Sequence, residues 1–265
     1  MIRIFVEGVG LLGPGLPGWR ASCPVLAGGE GYRGAPTVVV ASDLLPPAER
    51  RRTSVSVKLA LTVGHEAFVN AGRDAAVTAT VFTSSCGDEN VHYLCEALAS
   101  PQRDVSPTRF HNSVHNAAAG YWGIATRSQE ASTSLCAYDA SFAAGLLEAA
   151  AQATVNFKSL ALIAYDQPYP EPLNTARPIG AAFGVALVVA PEITSRTFAA
   201  LDVTFVTKKE SPTRMAESGL EAMRIGTPAA RSLPLLAALA RGASENIVVE
   251  YVAGTHLRIA VAPCQ

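Results

Sequence analysis

The chain has 265 residues, of which 49% are hydrophobic and only 16% are charged, and its formal net charge is -1. That length is enough for one large domain, or two small ones, with a substantial core. A net charge this close to zero gives no electrostatic basis for binding nucleic acid or an anionic membrane surface. Soluble domains usually carry more charge, so we expect much of the surface to be buried in a thick α/β core or against a partner.

The cysteine pattern argues against a disulfide framework and against a zinc site, and the sequence predicts no metal and no cofactor. The cysteines are odd in number, scattered and without a CxxC pair: Cys23, Cys86, Cys95, Cys136 and Cys264. This usage fits a reducing, cytoplasmic compartment. The start, MIRIFVEGVGLLG, is interrupted by Glu7 and indicates a strand rather than a signal peptide. No run approaches the roughly 20 apolar residues of a membrane helix, so we expect no membrane insertion.

In chain order, the first half alternates predicted strands and helices. IRIFVEGVG indicates a strand that runs into a glycine turn, and TVVVA at 37–41 indicates a second, short strand. The stretch 45–72 opens with Pro-Pro and continues with helix formers, which predicts one long helix. AVTATVFTSS is the next predicted strand and ENVHYLCEALAS a helix, and 106–126 is a further helix that opens with Ser-Pro.

The second half continues this alternation. EASTSLC predicts a strand, 137–153 a helix, and SLALIAYD, GAAFGVALVVA and ALDVTFV predict three more strands. Beyond residue 208 we expect two helices, SPTRMAESGLEAMRIG and PAARSLPLLAALARG, and a closing hairpin of NIVVEYV and HLRIAVA. Strands that alternate with helices throughout indicate an α/β fold, with helices on both faces of a layered sheet.

Cys136 stands where the predicted strand EASTSLC meets the predicted helix 137–153. The unpaired N–H groups of a helix start carry partial positive charge, which favours a thiolate. A tight strand-to-helix turn also exposes the side chain beside backbone donors, which suits a covalent nucleophile. The pattern alone fits an inert core cysteine as well, because cysteine is among the most frequently buried residue types. Asp139, in the first predicted helical turn, works against a thiolate.

EASTSLCAYDASFAAGLLEA resembles the active-site elbow of the β-ketoacyl synthases, where a strand ends in the cysteine that accepts the acyl chain. Other stretches are similar to this family in the same order: IRIFVEGVGLLGPG, LPPAERRRTSVSVKLALTVGHEAF, residues 81–127, SLALIAYD and AAFGVALVVAPE. The resemblance covers residues 1 to 190 and implies a thiolase-like fold, in its N-terminal half only, with a mixed sheet in an α-β-α arrangement. The sequence pattern changes after residue 208, so we expect a domain at 1–207 and a helix–helix–hairpin extension at 208–265 packed on that domain.

The resemblance also implies what the chain lacks. Full-length ketosynthases have a second half with two catalytic histidines, in HGT and GH motifs, and a glycine-rich FGFGG loop, and no counterpart of these follows the first half here. His256, in GTHLRIAV, lies in a strand-like pattern. Without the imidazoles, decarboxylation and condensation lose general acid–base and oxyanion support, each typically worth factors of about 10² to 10⁴. We therefore expect a chain that is acylated at most and does not condense.

In the family, dimers form where the strand before the cysteine pairs with its two-fold mate. Carried over to this chain, the expected interface involves Ser132, Thr133 and Ser134, and the expected acyl pocket near the dimer axis involves Phe110 and His111. We also assign His115 and Trp122 to this interface, although ordinary core packing explains Trp122 as well. Short chains of this type resemble the chain-length-factor-like subunits of aryl polyene and type II polyketide pathways, which shape the acyl tunnel of a catalytic partner. We expect a heterodimer with a full-length ketosynthase, or a homodimer, and a role with acyl carrier protein. Chain-length factors often replace the cysteine by glutamine, whereas this chain keeps Cys136.

Two alternatives stay open. A stand-alone acyltransferase or thioesterase would use Cys136 with His111 or His115, which are four residues apart and would share one face of the predicted helix. For these histidines we favour the simpler interpretation, polar residues that line a helix near an interface. A non-catalytic module that binds carrier protein would need a basic patch, and the basic clusters are ERRR at 49–52 and TKK at 207–209.

Overall fold

A single mixed sheet of eight strands forms the centre of the molecule. The computed structural model describes residues 1–85, 89–207, 210–252 and 254–264, and the bounds below refer to them. The strands are β1 (Ile2–Leu12), β2 (Ala79–Thr83), β3 (Ser132–Leu135), β4 (Leu160–Asp166), β5 (Phe183–Ala190), β6 (Ala199–Val206), β7 (Glu245–Glu250) and β8 (His256–Pro263). Their order across the sheet is β3-β2-β4-β5-β1-β6-β8-β7.

Strand direction divides the sheet into two regions. β2 is parallel to both of its neighbours, β3 and β4. From β4 to β7 every neighbouring pair is antiparallel. β4 and β5 are buried along their whole length, because helices cover both faces of the sheet there. The α/β class and the mixed, layered sheet predicted from the sequence are therefore confirmed.

Helices lie on both faces of the sheet. They are α1 (Trp19–Leu26), α2 (Pro47–Arg50), α3 (Val55–Ala71), α4 (Glu89–Ala99), α5 (Pro107–Asn112), α6 (Ala117–Thr126), α7 (Ser141–Asn156), α8 (Leu173–Ala176), α9 (Ser218–Gly226) and α10 (Leu233–Arg241). One buried cluster joins the sheet to α3 and α6. A second, larger cluster joins it to α7 and α10.

Glycines in the strand β1 and the helix α7 bring helices close to the sheet. A Cβ at Gly10 would lie 1.9 Å from the carbonyl oxygen of Val63 in α3. A Cβ at Gly145, in α7, would lie 2.6 Å from the Thr83 side chain of β2. Both distances are far inside van der Waals contact, so these packings require the absence of a side chain.

Two helices predicted as continuous are each interrupted in the structure. The stretch 45–72 forms the short α2 and then α3, because Ser54 starts a new helix by accepting a hydrogen bond from Val57 N at 3.3 Å. The stretch 106–126 forms α5 and α6 with a break at 113–116. There the Ser113 hydroxyl donates to the carbonyl of Phe110 at 2.8 Å, a side-chain bond that competes with helical backbone bonds.

The predicted strand at 37–41 does not join the sheet. Its residues have no strand assignment, and the Thr37 hydroxyl donates to the carbonyl of Ala182 at 2.7 Å. The segment pairs with neither edge strand of the sheet and lies on the surface, where Val38 and Val40 are exposed.

The C-terminal segment continues the sheet. β7 and β8 pair as the predicted hairpin, and β8 also pairs with β6. The predicted helices are shorter than expected: α9 begins at Ser218, and a 3₁₀ turn, Pro228–Ser232, precedes α10. Lys208 and Lys209 of the TKK cluster lie outside the described residues, and the division of the chain at 207/208 stays a prediction.

Candidate functional site

The candidate site lies at the carboxyl ends of β2, β3 and β4. Because these strands are parallel, their ends meet at one edge of the sheet, the usual place for ligand sites in α/β proteins. Thr83 of β2 is paired with Leu135 on one side and Ala164 on the other. The residues just beyond these positions, Cys136 after β3 and Asp166 at the end of β4, therefore lie at this edge.

Cys136 is exposed, but it is not in the first turn of a helix. α7 begins at Ser141, four residues later than the predicted start, and a 3₁₀ turn at Tyr138–Ala140 intervenes. The prediction that the helix dipole acts directly on the thiol is therefore wrong, because that effect is confined to the first turn. The Ser141 hydroxyl instead ties the turn together: it accepts from Ala137 N at 3.0 Å and lies 2.9 Å from the carbonyl of Ser84.

Two arginines hold the turn that follows Cys136. Asp139 accepts a hydrogen bond from Arg177, and Arg231 forms an ion pair with it at 3.2 Å. The guanidinium of Arg177 also stacks on the ring of Tyr138, 3.6 Å from the ring centroid. Asp139 is thus neutralised by two cations instead of standing as an isolated negative charge beside Cys136. No local pattern could have predicted this arrangement, because the two arginines are distant along the chain from Asp139.

Asp166 is a second charged residue of the site that sequence reasoning missed. Its carboxylate accepts from Ser85 N and from Ala229 N, each at 2.7 Å, and so joins β2, β4 and the 3₁₀ turn before α10. Burial raises the pKa of Asp166 to about 6, even though both backbone donors and the charge of Arg177 act to lower it. A signal was present in the sequence, since a carboxylate that ends an apolar strand such as SLALIAYD must be paired when it is buried.

The two histidines proposed as partners of Cys136 do not share a helix face. His111 belongs to α5, whereas His115 lies in the break before α6. The His111 ring meets the ring of Tyr121 edge-on, with centroids 6.2 Å apart. His115 lines a cavity of about 70 Å³ that Ser84 also borders. The argument for a Cys–His pair from helical spacing is therefore wrong.

Phe110 and His111 lie together in an open groove between α5 and α6. Its volume is about 400 Å³, and its walls are mostly apolar, with Val114, Tyr121 and Ile124 among them. The Phe110 side chain is 65% exposed, which is unusual for a residue of this size. The structure brings the two predicted pocket residues together, and their role in acyl binding stays a prediction.

β3 is an edge strand of the sheet. It pairs with β2 on one side, and it has no second strand neighbour among the described residues. The carbonyls of Ala131 and Leu135 accept from β2, and alternate residues of a strand point their backbone groups to opposite sides. The N–H and C=O groups of Ser132 and Ser134 therefore point away from the sheet, toward any strand that would pair with β3.

Side chains of the predicted interface fall into two groups. The Thr133 hydroxyl oxygen accepts from Gln152 at 2.9 Å, and that of Ser132 accepts from Thr80 at 2.9 Å. Trp122, by contrast, is only 2% exposed and packs against the rings of Phe68 and Phe82. Core packing accounts for Trp122, and it leaves almost none of this side chain for a partner.

The opposite edge of the sheet, at β7, is covered by the chain itself. Thr213 N donates to the carbonyl of Val248 at 2.9 Å, and Val248 N donates to the Thr213 hydroxyl at 2.9 Å. Natural proteins protect sheet edges in this way, because unpaired edges attract other strands. Thus the β3 edge is open, whereas the β7 edge is blocked near its middle.

The described residues contain no helix that is long and apolar enough to cross a membrane. Within the same residues, no cluster of three or more histidine, cysteine, aspartate or glutamate side chains is arranged to hold a metal ion.

A family model described as β-ketoacyl synthase, N-terminal domain, matches residues 30–249. No curated protein sequence matches the chain at a significant level. The chain has a similar fold to a ketosynthase (ApeO) in complex with its chain length factor (ApeC) from Xenorhabdus doucetiae, at 21% identity, with 98% of this chain and 100% of that chain covered and a TM-score of 0.74.

Two further solved structures have the same fold at lower identity. One is the ishigamide ketosynthase/chain length factor, at 14% identity, with 100% of both chains covered and a TM-score of 0.70. The other is AntDE:AntF, a type II acyl carrier protein in complex with its ketosynthase, at 10% identity, with 99% of both chains covered and a TM-score of 0.74.

Proposed function

Since the chain belongs to the family of β-ketoacyl synthase N-terminal domains, we propose that it is a chain-length-factor-like subunit that assembles with a full-length ketosynthase. In this role it contributes to the acyl pocket of its partner during chain elongation on acyl carrier protein, in a pathway of the type II polyketide or aryl polyene kind. It does not catalyse condensation by itself. The observation that carries the proposal is the open edge of β3, directly before Cys136.

The contrast between the two sheet edges supports a strand-pairing partner. Thr213 forms two hydrogen bonds with the backbone of Val248 on the β7 side. On the β3 side, no strand among the described residues pairs with the outward backbone groups of Ser132 and Ser134. Strand addition to such an edge supplies main-chain hydrogen bonds across an interface. A partner with an equivalent edge strand would continue the sheet from one subunit into the other.

The apolar groove beside this edge supports the acyl-pocket part of the proposal. α6 packs beside β3, and the exposed side chains of Phe110, Val114 and Ile124 lie on the groove that α6 forms with α5. Exposed apolar side chains that lie together mark a surface that is covered by a partner or a ligand. A subunit paired at β3 would lie next to this groove and share it.

The positions of the histidines support the absence of independent condensation. Four of the five lie in the stretch that resembles the family's first half, and His256 is in neither an HGT nor a GH motif. His92 is buried in α4 and bonded to Glu96 at 3.2 Å, and His256 is buried at the start of β8. The imidazoles for decarboxylation would have to come from the ketosynthase partner.

Substitutions at Ser134 test the proposal. Tagged chain is co-expressed with the full-length ketosynthase of its pathway, and the two are expected to purify together as a heterodimer. Ser134→Pro removes one outward N–H of β3 and should abolish co-purification. Ser134→Ala is the matched control, because it keeps the N–H and loses only a hydroxyl.

The fold of each variant is checked by thermal unfolding. Co-purification that survives Ser134→Pro in a folded chain would contradict pairing at β3. Wild-type chain that elutes without the ketosynthase, as a monomer or homodimer, would overturn the heterodimer itself.

The exposure of Cys136 favours a second candidate function, an acyl acceptor in a stand-alone acyltransferase or thioesterase. This candidate predicts a mass increase equal to the acyl group after incubation with acylated carrier protein, followed by turnover. Both should be lost in Cys136→Ala. Absence of an adduct in the wild-type chain would exclude this candidate.

A further inference from the structure

An ion cluster connects the C-terminal segment to the turn that follows Cys136. Arg231, in the 3₁₀ turn before α10, pairs with Asp139 at 3.2 Å and also with Glu250 at the end of β7. Arg177, between β4 and β5, pairs with the other oxygen of Asp139. Two guanidinium groups and two carboxylates therefore form one chain of contacts across four separate segments.

The turn has a backbone conformation that its own residues do not favour. Tyr138 has a φ of 54°, in the left-handed region, where a bulky residue is rare. Such a conformation is strained and persists only when the surroundings hold it. Here the Arg177 guanidinium covers the Tyr138 ring, and the Ser141 hydroxyl holds Ala137 from the inner side.

We propose that Arg231 is a positioning residue that couples the C-terminal segment to the Cys136 turn, and that the charge balance of this cluster sets the reactivity of the thiol. Intact, the two cations and two carboxylates cancel. Removal of Arg231 leaves the cluster with a net negative charge, which disfavours a thiolate nearby. Removal of Glu250 or Asp139 leaves a net positive charge, which favours it.

Asp166 is a further charged group that the structure places beside this cluster. Asp166 accepts from Ala229 N, in the same 3₁₀ turn as Arg231, and the charge of Arg177 acts on it. Its pKa of about 6 leaves it ionised throughout the range in which thiols titrate. α7 contributes the Ser141 hydroxyl to the turn, which carries no charge. Because Asp166 is unchanged in the variants, differences between their Cys136 pH profiles and that of the wild type report on the cluster.

The test measures how the alkylation of Cys136 depends on pH in the full-length chain. In the reaction with iodoacetamide the thiolate forms a sulfur–carbon bond and iodide leaves, so the rate follows the thiolate fraction. Mass spectrometry of peptides gives the rate for each cysteine separately. Arg231→Gln should move the midpoint up by roughly half a pH unit, and Glu250→Gln and Asp139→Asn should move it down by a similar amount.

Two controls accompany the measurement. Cys95, exposed on α4, is an internal reference whose profile should stay the same in every variant. Arg241→Gln breaks a bidentate pair with Glu245 in the same C-terminal segment and should leave the Cys136 profile unchanged.

The test is decisive because Arg231→Gln and Glu250→Gln should shift the midpoint of the Cys136 profile in opposite directions. Profiles that shift in the same direction for Arg231→Gln and Glu250→Gln, or that superimpose on the wild type, would overturn the proposal. If Arg231→Gln does not fold, the direction of the Glu250→Gln shift decides. The result depends only on thiol chemistry, so it stands or fails separately from the proposed heterodimer.

Discussion

Asp166 should make the stability of the fold depend on pH. Its pKa is raised from 3.8 to about 6 in the folded chain, because burial outweighs the two backbone hydrogen bonds to its oxygens. A carboxyl group with a raised folded pKa stabilises the fold fully below its unfolded pKa, and this stabilisation is lost as the pH rises through the folded pKa. The loss should therefore occur between about pH 4 and about pH 7.

The magnitude follows from the two pKa values. A difference of about two units corresponds to roughly 3 kcal/mol over the whole range. Between about pH 5 and about pH 8, where measurement is practical, the expected loss is about 1.4 kcal/mol. Other groups titrate in this range too, so the wild type is compared with Asp166→Asn, which has no ionisable group at this position.

The assay is urea unfolding of both proteins at several pH values. The free energy of unfolding of the wild type, minus that of Asp166→Asn, should fall by about 1.4 kcal/mol from about pH 5 to about pH 8. The absolute offset between the two proteins is not the test, because an asparagine NH₂ would face Ser85 N or Ala229 N. A difference that stays constant, or rises with pH, would refute the reasoning and mean that the hydrogen bonds outweigh burial.

Three further predictions concern packing and buried charge. Gly10→Ala should cost several kcal/mol or prevent folding, because its Cβ would lie 1.9 Å from a backbone oxygen; Gly120→Ala, with nothing within 4 Å, should instead stabilise its helix by up to about 1 kcal/mol in chemical denaturation. Trp122→Ala should lower the free energy of unfolding by about 3 to 5 kcal/mol with no partner present, since the ring lies in the core; a change below about 1 kcal/mol would contradict that placement. Arg73→Ala should destabilise the fold by at least about 2 kcal/mol near neutral pH, because it leaves the buried carboxylate of Glu7 without its ion-pair partner. The destabilisation should shrink in acid as that carboxylate is protonated, and an unfolding free energy equal to wild type at neutral pH would exclude this role.

Local sequence patterns were sufficient for the class of the fold and for most of its strands. SLALIAYD and GAAFGVALVVA are apolar runs bounded by polar or turn residues, and they form the fully buried β4 and β5. β4 and β5 pair with different strands, but both are buried on both faces of the sheet, and this produces the same continuous apolar run in the sequence. The place of Cys136 just after a strand was likewise predictable, because the β-branched run and the helix formers around it are local features.

Helix boundaries were harder to predict, because single side chains decide them. A serine is compatible both with a helix interior and with a helix cap. In this structure Ser54 and Ser113 interrupt the predicted helices, because their hydroxyls bond to Val57 N and to the Phe110 carbonyl. The later start of α7 at Ser141 depends in the same way on contacts with Ser84 and Ala137. Because of these helix boundaries, the dipole of α7 does not act directly on Cys136, and His111 and His115 do not share one helix face.

The sequence by itself determined the α/β class, the positions of most strands along the chain, the family resemblance and the strand-end position of Cys136. Each of these depends on residues that are neighbours in the sequence. Only the tertiary structure decided which charges surround that cysteine and which edge of the sheet is open. Arg177, Arg231 and Asp139 meet through chain folding across separate segments, and one contact at Thr213 blocks the far edge. Such convergence has no local signature, since residues far apart in the chain come together only when the core has packed.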